Sequence, residues 1–443
     1  MTDRPAGPPA GPPPSDEANA SMNHPGSQGR RAGRPARGWA AAAVAALALA
    51  TAGADGPDSA VPSDPMFTAQ RVDGTTVTGR LRGLDVRGGA ALAVDDKERV
   101  VTVPGRELDK LTREGSPALT AGEGRMLVLF PDGDRLHRCA IGPAREAAID
   151  VQQAPLGSLS IPLDAVLGLV FAPPTDPDAL QALTTRVRDE PRSAEVLWLT
   201  NGDRLAGGLL GIDDRAISVG LAAGKSEVDR AGVVALGFDP KLVDYPRPAG
   251  PHLELTLVDG SRLGVSSARV EGGHVLATTR YGRPIRLPVG ELALVHTRDG
   301  PVVYLSDLTP QAEKTVGYIG PTRPSRANLA VDGRPLRLGG KAYDRGIGTQ
   351  SRSYVAYRLD PGVKRLRATV GVDDRAGPLG SVVFRVIVDR EVRFESPPMS
   401  VRDTPRALDL DLDGAKTLVL VTDFGERGEV RDHGDWAEAR LIR

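Results

Sequence analysis

A surplus of charge of either sign is missing: 56 Lys and Arg stand against 57 Asp and Glu over 443 residues. Such a chain offers no broad positive field to draw nucleic acid, and that class of partner drops out. Cysteine is nearly absent, with Cys139 alone, so a disulfide framework and a four-thiolate zinc site are both excluded. Within His137-Arg138-Cys139 the thiol reads either as a reactive group or, more simply, as one free Cys on a strand. Aromatic residues make up only 4%. The motifs His-Glu-x-x-His and Gly-x-Ser-x-Gly do not occur, which removes the common metalloprotease and serine-hydrolase signatures.

What the chain has instead is 52 Gly and 37 Pro. With few aromatics, that predicts short strands and tight turns, a mainly β protein. Residues 1–38 are rich in Pro, Gly, Ala and Ser without apolar periodicity, and read as a disordered tail with a basic end at Arg30, Arg31, Arg34 and Arg37. The apolar run Trp39–Ala52 follows, 14 residues long. A membrane-spanning helix needs about 20, so residues 39–52 suit a signal-peptide core, with Ala-x-Ala sites at Ala48/Ala50 and Ala50/Ala52. Two outcomes stay open: cleavage, or an uncleaved anchor with its tail held inside by the arginines. Met22 would give a start of more usual length. Either way the product is exported, periplasmic, extracellular or anchored, and meets a membrane only through this segment.

One β pattern then returns four times, over 66–114, 125–172, 195–239 and 252–298. Each copy opens with an apolar strand and a turn dipeptide: Asp73-Gly74, Asp132-Gly133, Asn201-Gly202 and Asp259-Gly260. These are strong hairpin signals, because such turns need residues that accept positive φ. Four residues after the Asp or Asn stands an aliphatic residue, Val77, Leu136, Leu205 or Leu263. Pro104, Pro162 and Pro288 fall 31, 30 and 29 residues after the turn, with Asp229 near that place in the third copy. A unit of this size suits a small, strongly bent sheet closed into a barrel. The stretch Asn201-Gly202-Asp203-Arg204-Leu205-Ala206-Gly207 resembles the opening of Sm-like small barrels. So small a unit is marginal alone, and neighbours are expected to pack together. Residues 173–194 read as a connector, with Asp176-Pro177-Asp178 placed to cap a helix that Pro191 ends.

No chemistry shows in the repeats. Gly220 to Ser226 suggests a phosphate loop, but three residues separate its glycines where four are needed, and strand-like sequence follows; a hairpin turn explains it. The pair Asp213-Asp214 reads as a turn. The repeats act as a stalk, a surface for other envelope proteins, or plain scaffold.

From Val302 the texture changes to long alternating strands, Arg365–Val372, Val382–Val388, Ala407–Leu412 and Thr417–Thr422, each with one buried and one wet face, as in an antiparallel sandwich. Five motifs in order resemble the NPCBM family of carbohydrate-binding modules: Tyr304 to Leu308, Tyr343 to Ser351, Val370 to Asp374, Gly380 to Phe384, and the ending Asp432-His433-Gly434-Asp435-Trp436-Ala437-Glu438-Ala439-Arg440-Leu441. The resemblance covers 302–443 and implies a galactose-binding-like β-sandwich attached to glycans. The chain departs from the family at Gln350, where His is frequent, and at Asp389-Arg390, where Asp-Gly is frequent.

Sugars are held by a flat aromatic face against their C–H groups, with carboxylates and amides reading the hydroxyls. That need points to Trp436 as platform and Asp432, His433 and Asp435 as polar partners, with Tyr343 and Gln350 completing the site. The alternative role for Trp436 is core, and for Asp432 and Asp435 the shaping of a turn. No cofactor is implied, apart from hard oxygen ligands at Asp373-Asp374 that would suit a structural calcium. The expected function is a non-catalytic, exported glycan-binding protein; the alternative is a structural or interaction protein of the cell envelope whose sandwich binds no sugar. A glycosidase would need two facing carboxylates in a cleft, usually on a larger catalytic domain, and no segment outside the sandwich is large enough unless the four units form one body.

Overall fold

Four apolar strands that each run into an Asx-Gly turn seed four five-stranded units. The computed structural model describes residues 64–115, 126–145, 147–317, 322–426 and 428–443. The tail 1–38 and the apolar run 39–52 lie outside the described residues. Among the described residues no helix is long and apolar enough to cross a membrane.

The units' first strands are Met66–Arg71, Met126–Leu129, Glu195–Leu199 and His252–Leu257. In all four turns the glycine takes a left-handed backbone, φ between 85° and 90° at Gly74, Gly133, Gly202 and Gly260. The turns are wider than a two-residue hairpin, and outside the second unit only the glycine needs positive φ. The Asx side chain supplies the rest: Asp73, Asn201 and Asp259 each accept the backbone N–H two residues on, at 2.9, 3.0 and 2.9 Å.

Each second strand, Thr76–Asp85, Arg135–Arg145, Arg204–Ile212 and Arg262–Glu271, shifts register partway along against the third. A bulge at that point bends the strand and coils the sheet on itself. The fourth strand then ends in a single 3-10 turn, entered from Pro162, Asp229 and Pro288, with Asp229 capping through its carboxylate to the Ala231 N–H at 3.0 Å. Pro104 begins the matching turn of the first unit. This turn returns the fifth strand to the free edge of the first.

The units join through their fifth strands. Leu108–Arg113 of the first pairs antiparallel with Leu292–Arg298 of the fourth, and Gly168–Val170 of the second with Val233–Gly237 of the third. One apolar core takes residues from all four, among them Phe67, Leu136, Leu236 and Leu255. Cys139 is sealed on the strand Arg135–Arg145, where burial pushes its thiol up to about 12, so the residue is inert packing rather than a reactive group. Asp213 accepts the N–H groups of Arg215 and Ala216, and Gly220 to Ser226 spans the hairpin between Ala216–Leu221 and Gly224–Asp229. Helix Pro177–Asp189 lies between the second and third units, capped by the Asp176 side chain on the Ala179 N–H at 2.7 Å.

The C-terminal part is a β-sandwich. One sheet runs in the order Arg326–Ala327, Gly346–Gln350, His433–Ile442, Arg365–Val372, Arg406–Asp411, with Val302–Tyr304 also on His433–Ile442. The other runs Ala312–Thr315, Ser353–Arg358, Thr417–Phe424, Ser381–Val388, Glu391–Glu395. Their inner faces share a core of Ile347, Val355, Leu366, Val370, Phe384, Leu420 and Trp436. A small hairpin, Leu336–Leu338 with Lys341–Tyr343, covers part of the outer face of the first sheet.

Charged groups bind the sandwich to the repeats. Arg345 donates to both oxygens of Glu254 and also to Asp307, and Lys110 pairs with Glu438. The Arg440 guanidinium stands 3.4 Å from the Asp109 carboxylate.

Candidate functional site

Alternation sorts the side chains of the first sheet. Ile347 and Thr349 point into the core, so Gln350 and Gly348 face outward. On the neighbouring strand Trp436 and Gly434 point inward, which turns His433 and Asp435 outward. Gln350 and His433 are direct cross-strand partners, and Arg326 pairs with Gly348 on the other side. Arg326, Gln350 and His433 therefore project from one face, side by side.

Segment 328–335 and the hairpin lie over the rest of that face. A Cβ at Gly348 would sit 2.3 Å from the Leu329 carbonyl oxygen, and one at Gly346 2.8 Å from the Leu336 side chain. Where the cover stops, the half-buried Gln350 and His433 form a recess, walled by Asp332 and Gly333 beside the Arg326 guanidinium. The Arg323 N–H donates to the Gln350 Oε1 at 3.2 Å and closes one side.

This recess holds polar atoms cut off from solvent and left without partners: the Nε of Arg326 and the Nδ1 of His433. Buried polar groups are almost always paired, so such a cluster marks a place where a ligand or water completes the bonding. Burial, the largest influence, holds the His433 imidazole below its ordinary pKa, leaving it neutral and able both to donate and to accept. Burial, and then the neighbouring Asp373 carboxylate, push the Asp435 carboxyl well above its ordinary pKa.

The structure brings together two of the six residues the sequence nominated, His433 and Gln350. It corrects the rest. Trp436 is fully buried, packed edge-to-face on Phe384 at 5.2 Å, with its Nε1–H donating to the Thr422 hydroxyl at 3.0 Å; it is core and no platform for sugar. Asp432 is buried and accepts from the Ser381 N–H and the Ser351 hydroxyl at 2.9 and 2.8 Å, tying loops together. Asp435 lies under the cover and is out of reach. Tyr343 sits at the hairpin end of the sheet under Lys341, its ring centroid 4.6 Å from the Nζ. The calcium expectation fails on the same physical ground. Asp373 accepts the N–H groups of Arg337 and Arg375, and Asp374 those of Gly339 and Gly340, so these carboxylates serve the hairpin. Among the described residues no group of acidic, His or Cys side chains is arranged to hold a metal ion.

Arg326, Asp332, Arg323 and Arg431 were not legible from sequence. They come from loops and from a two-residue strand too short to show alternation. An open cleft of about 560 Å³, lined by Gln311, Arg358, Asp360, Lys416 and Thr417, occupies the opposite end of the sandwich, and none of the unpartnered buried atoms lies in it.

Residues 301–442 match the family model described as the NPCBM/NEW2 domain, and the domain is carbohydrate-binding-module-like. Alpha-1,3-galactosidase B of Akkermansia muciniphila is 31% identical over 121 residues, 26% of this chain and 15% of that protein. A Renibacterium salmoninarum protein assigned as an endo-alpha-N-acetylgalactosaminidase is 29% identical over 142 residues, 31% of this chain and 9% of that one. The chain thus spans less than a sixth of either curated relative. Among solved structures, CBM51 from Clostridium perfringens GH95 in complex with methyl-galactose is 30% identical, covering 32% of this chain and 99% of that one, with a TM-score of 0.30.

Proposed function

From an NPCBM/NEW2 domain over residues 301–442, we propose that this is an exported, non-catalytic carbohydrate-binding protein that holds glycan in the recess of His433 and Gln350. The observation that carries the reading is the set of unpartnered buried polar atoms around those two side chains. A saccharide presents a dense array of hydroxyl donors and acceptors, which is the chemistry needed to satisfy them. The carboxylates Asp432 and Asp435 are committed to loop bonding and to burial and are not free to act as a facing acid–base pair. The four β units carry the domain and offer surface to other envelope proteins.

The buried Trp436 favours a second reading, a structural envelope protein without sugar affinity, because no indole face is left for the sugar ring. A glycan array probed with the full chain and with His433→Ala separates the two. The expected result is retention on a defined glycan set that the variant loses at unchanged melting temperature. A folded wild-type protein silent on every glycan would establish the second reading. Export is tested by N-terminal sequencing of the mature protein, with a start near Thr51 or Gly53 expected on cleavage.

A further inference from the structure

Several arginines of the sandwich pair with carboxylates. Arg365 and Arg367 share Asp409, Arg352 and Arg385 share Asp423, Arg337 leans on Asp374, and Arg443 reaches Asp360. Arg358, Arg375, Arg390, Arg393, Arg402 and Arg406 have no carboxylate partner among the described residues, and neither do Arg323, Arg326 and Arg431, which lie around His433. Arg326 projects from the same face as His433 and has no carboxylate partner among the described residues, its Nε sealed from water. Arg323 follows the edge of Gln350, and Arg431 lies two residues before His433, whose N–H donates to the Arg431 carbonyl at 2.8 Å. The Arg431 guanidinium reaches over the loop at Gly377, where a Cβ would lie 3.6 Å from it.

The opposing charges are already committed. Asp332 accepts the Arg334 N–H at 3.1 Å, Asp373 accepts two backbone N–H groups, and burial pushes the Asp435 carboxyl well above its ordinary pKa. Three guanidinium groups without carboxylate partners among the described residues thus lie around His433, with Asp332 and Asp373 as the facing carboxylates. Arginine presents a planar fork of donors suited to carboxylate and sulfate oxygens, and at the half-buried Arg326, whose Nε is sealed from water, an anionic ligand would supply the missing partner, with the exposed Arg323 and Arg431 beside it.

We propose that the glycan held here is anionic, a sugar bearing a carboxylate or a sulfate ester, with Arg326, Arg323 and Arg431 as the residues that select the charge. The proposal rests on the glycan reading and refines it. Titration calorimetry of the full chain with methyl galactoside, methyl galacturonoside and galactose 6-sulfate tests it. At least one charged sugar should bind about tenfold tighter than the neutral one, the scale of one or two charge-assisted hydrogen bonds. The advantage should shrink when salt rises from about 50 to about 500 mM. The uronoside arm identifies a carboxylate ligand and the sulfate arm a sulfated one. Arg431→Gln, an exposed position that leaves the core untouched, should remove most of the advantage, read as the ratio of charged to neutral affinity, at unchanged melting temperature; Arg326→Gln should also remove it. Equal affinity for neutral and charged sugars would overturn the proposal and leave the glycan reading standing. Binding of none of them, together with a silent array, would remove both.

Discussion

The Arg345 guanidinium holds both carboxylate oxygens of Glu254, at 2.5 and 2.6 Å, with neither side chain reaching solvent. Glu254 belongs to the first strand of the fourth repeat and Arg345 to the Tyr343–Ser351 motif of the sandwich. Two charges of the motif, Asp344 and Arg345, thus face the repeats and leave the other end of the sheet for a ligand. Asp344 accepts from or pairs with His296, whose Nε2 lies 3.2 Å away.

Breaking that pair should be costly. Burial works to raise the Glu254 pKa, and Arg345, Arg262 and Arg298 outweigh it and hold the group ionised. Glu254→Gln leaves three guanidinium groups with a weaker acceptor, and about 3–5 kcal/mol of stability should be lost in denaturant titration. Adding Arg345→Met to that variant should cost far less than Arg345→Met alone, because the two side chains act as one unit. Strict additivity would show the contact to be incidental.

Trp436 can be tested apart from sugar binding. Its indole donates to Thr422, which meets the Thr349 hydroxyl at 2.6 Å, and Thr349 donates to the Gly434 carbonyl at 2.7 Å. Trp436→Phe removes the donor and some volume and should cost about 1–3 kcal/mol, whereas Trp436→Ala should cost about 3–5 kcal/mol. Glycan affinity of the Phe variant should stay at the wild-type level in calorimetry. A selective loss of affinity without loss of stability would return the indole to the site.

Much of the sandwich was legible because its strands alternate. Arg365–Val372 appears with the bounds read from sequence, and Thr417 begins its strand as read. The same alternation, applied one step further, would have placed Trp436 inside: it stands on the face of Gly434, opposite to His433. Residue type suggested a sugar platform, and strand parity decided against it. The recess stayed hidden for a different reason. Its walls come from segments 323–333 and 431, which touch Gln350 and His433 only after the chain has folded, and no local pattern announces them.

The departure at Asp389-Arg390 carries its own consequence. Both residues of this turn, between Ser381–Val388 and Glu391–Glu395, take positive φ, 47° and 77°. Asp389 is compensated by accepting the N–H groups of Lys416 and Thr417, whereas Arg390 holds a left-handed backbone that favours glycine. Arg390→Gly should therefore raise stability by about 1 kcal/mol in thermal unfolding. A loss of stability would mean that the entropy of the added glycine in the unfolded chain outweighs the relief.

Asp432 makes the sandwich sensitive to pH in a stated direction. Burial, the largest influence, pushes its carboxyl up to about 6, against the lowering effect of the Ser381 N–H and the Ser351 hydroxyl. The folded state therefore binds a proton more tightly than the unfolded chain, whose group titrates near 4. The associated stability is complete below about pH 4 and is lost as pH rises through about 6, with no further change from this group above it. Asp432→Asn keeps an oxygen for the Ser381 N–H and replaces the other with a donor toward the Ser351 hydroxyl, imitating the protonated acid. Thermal unfolding should show the variant more stable than wild type at pH 7.5 and equal to it at pH 4. A variant less stable at both pH values would show that Ser351 needs the charged acceptor and that the carboxylate is ionised in the fold.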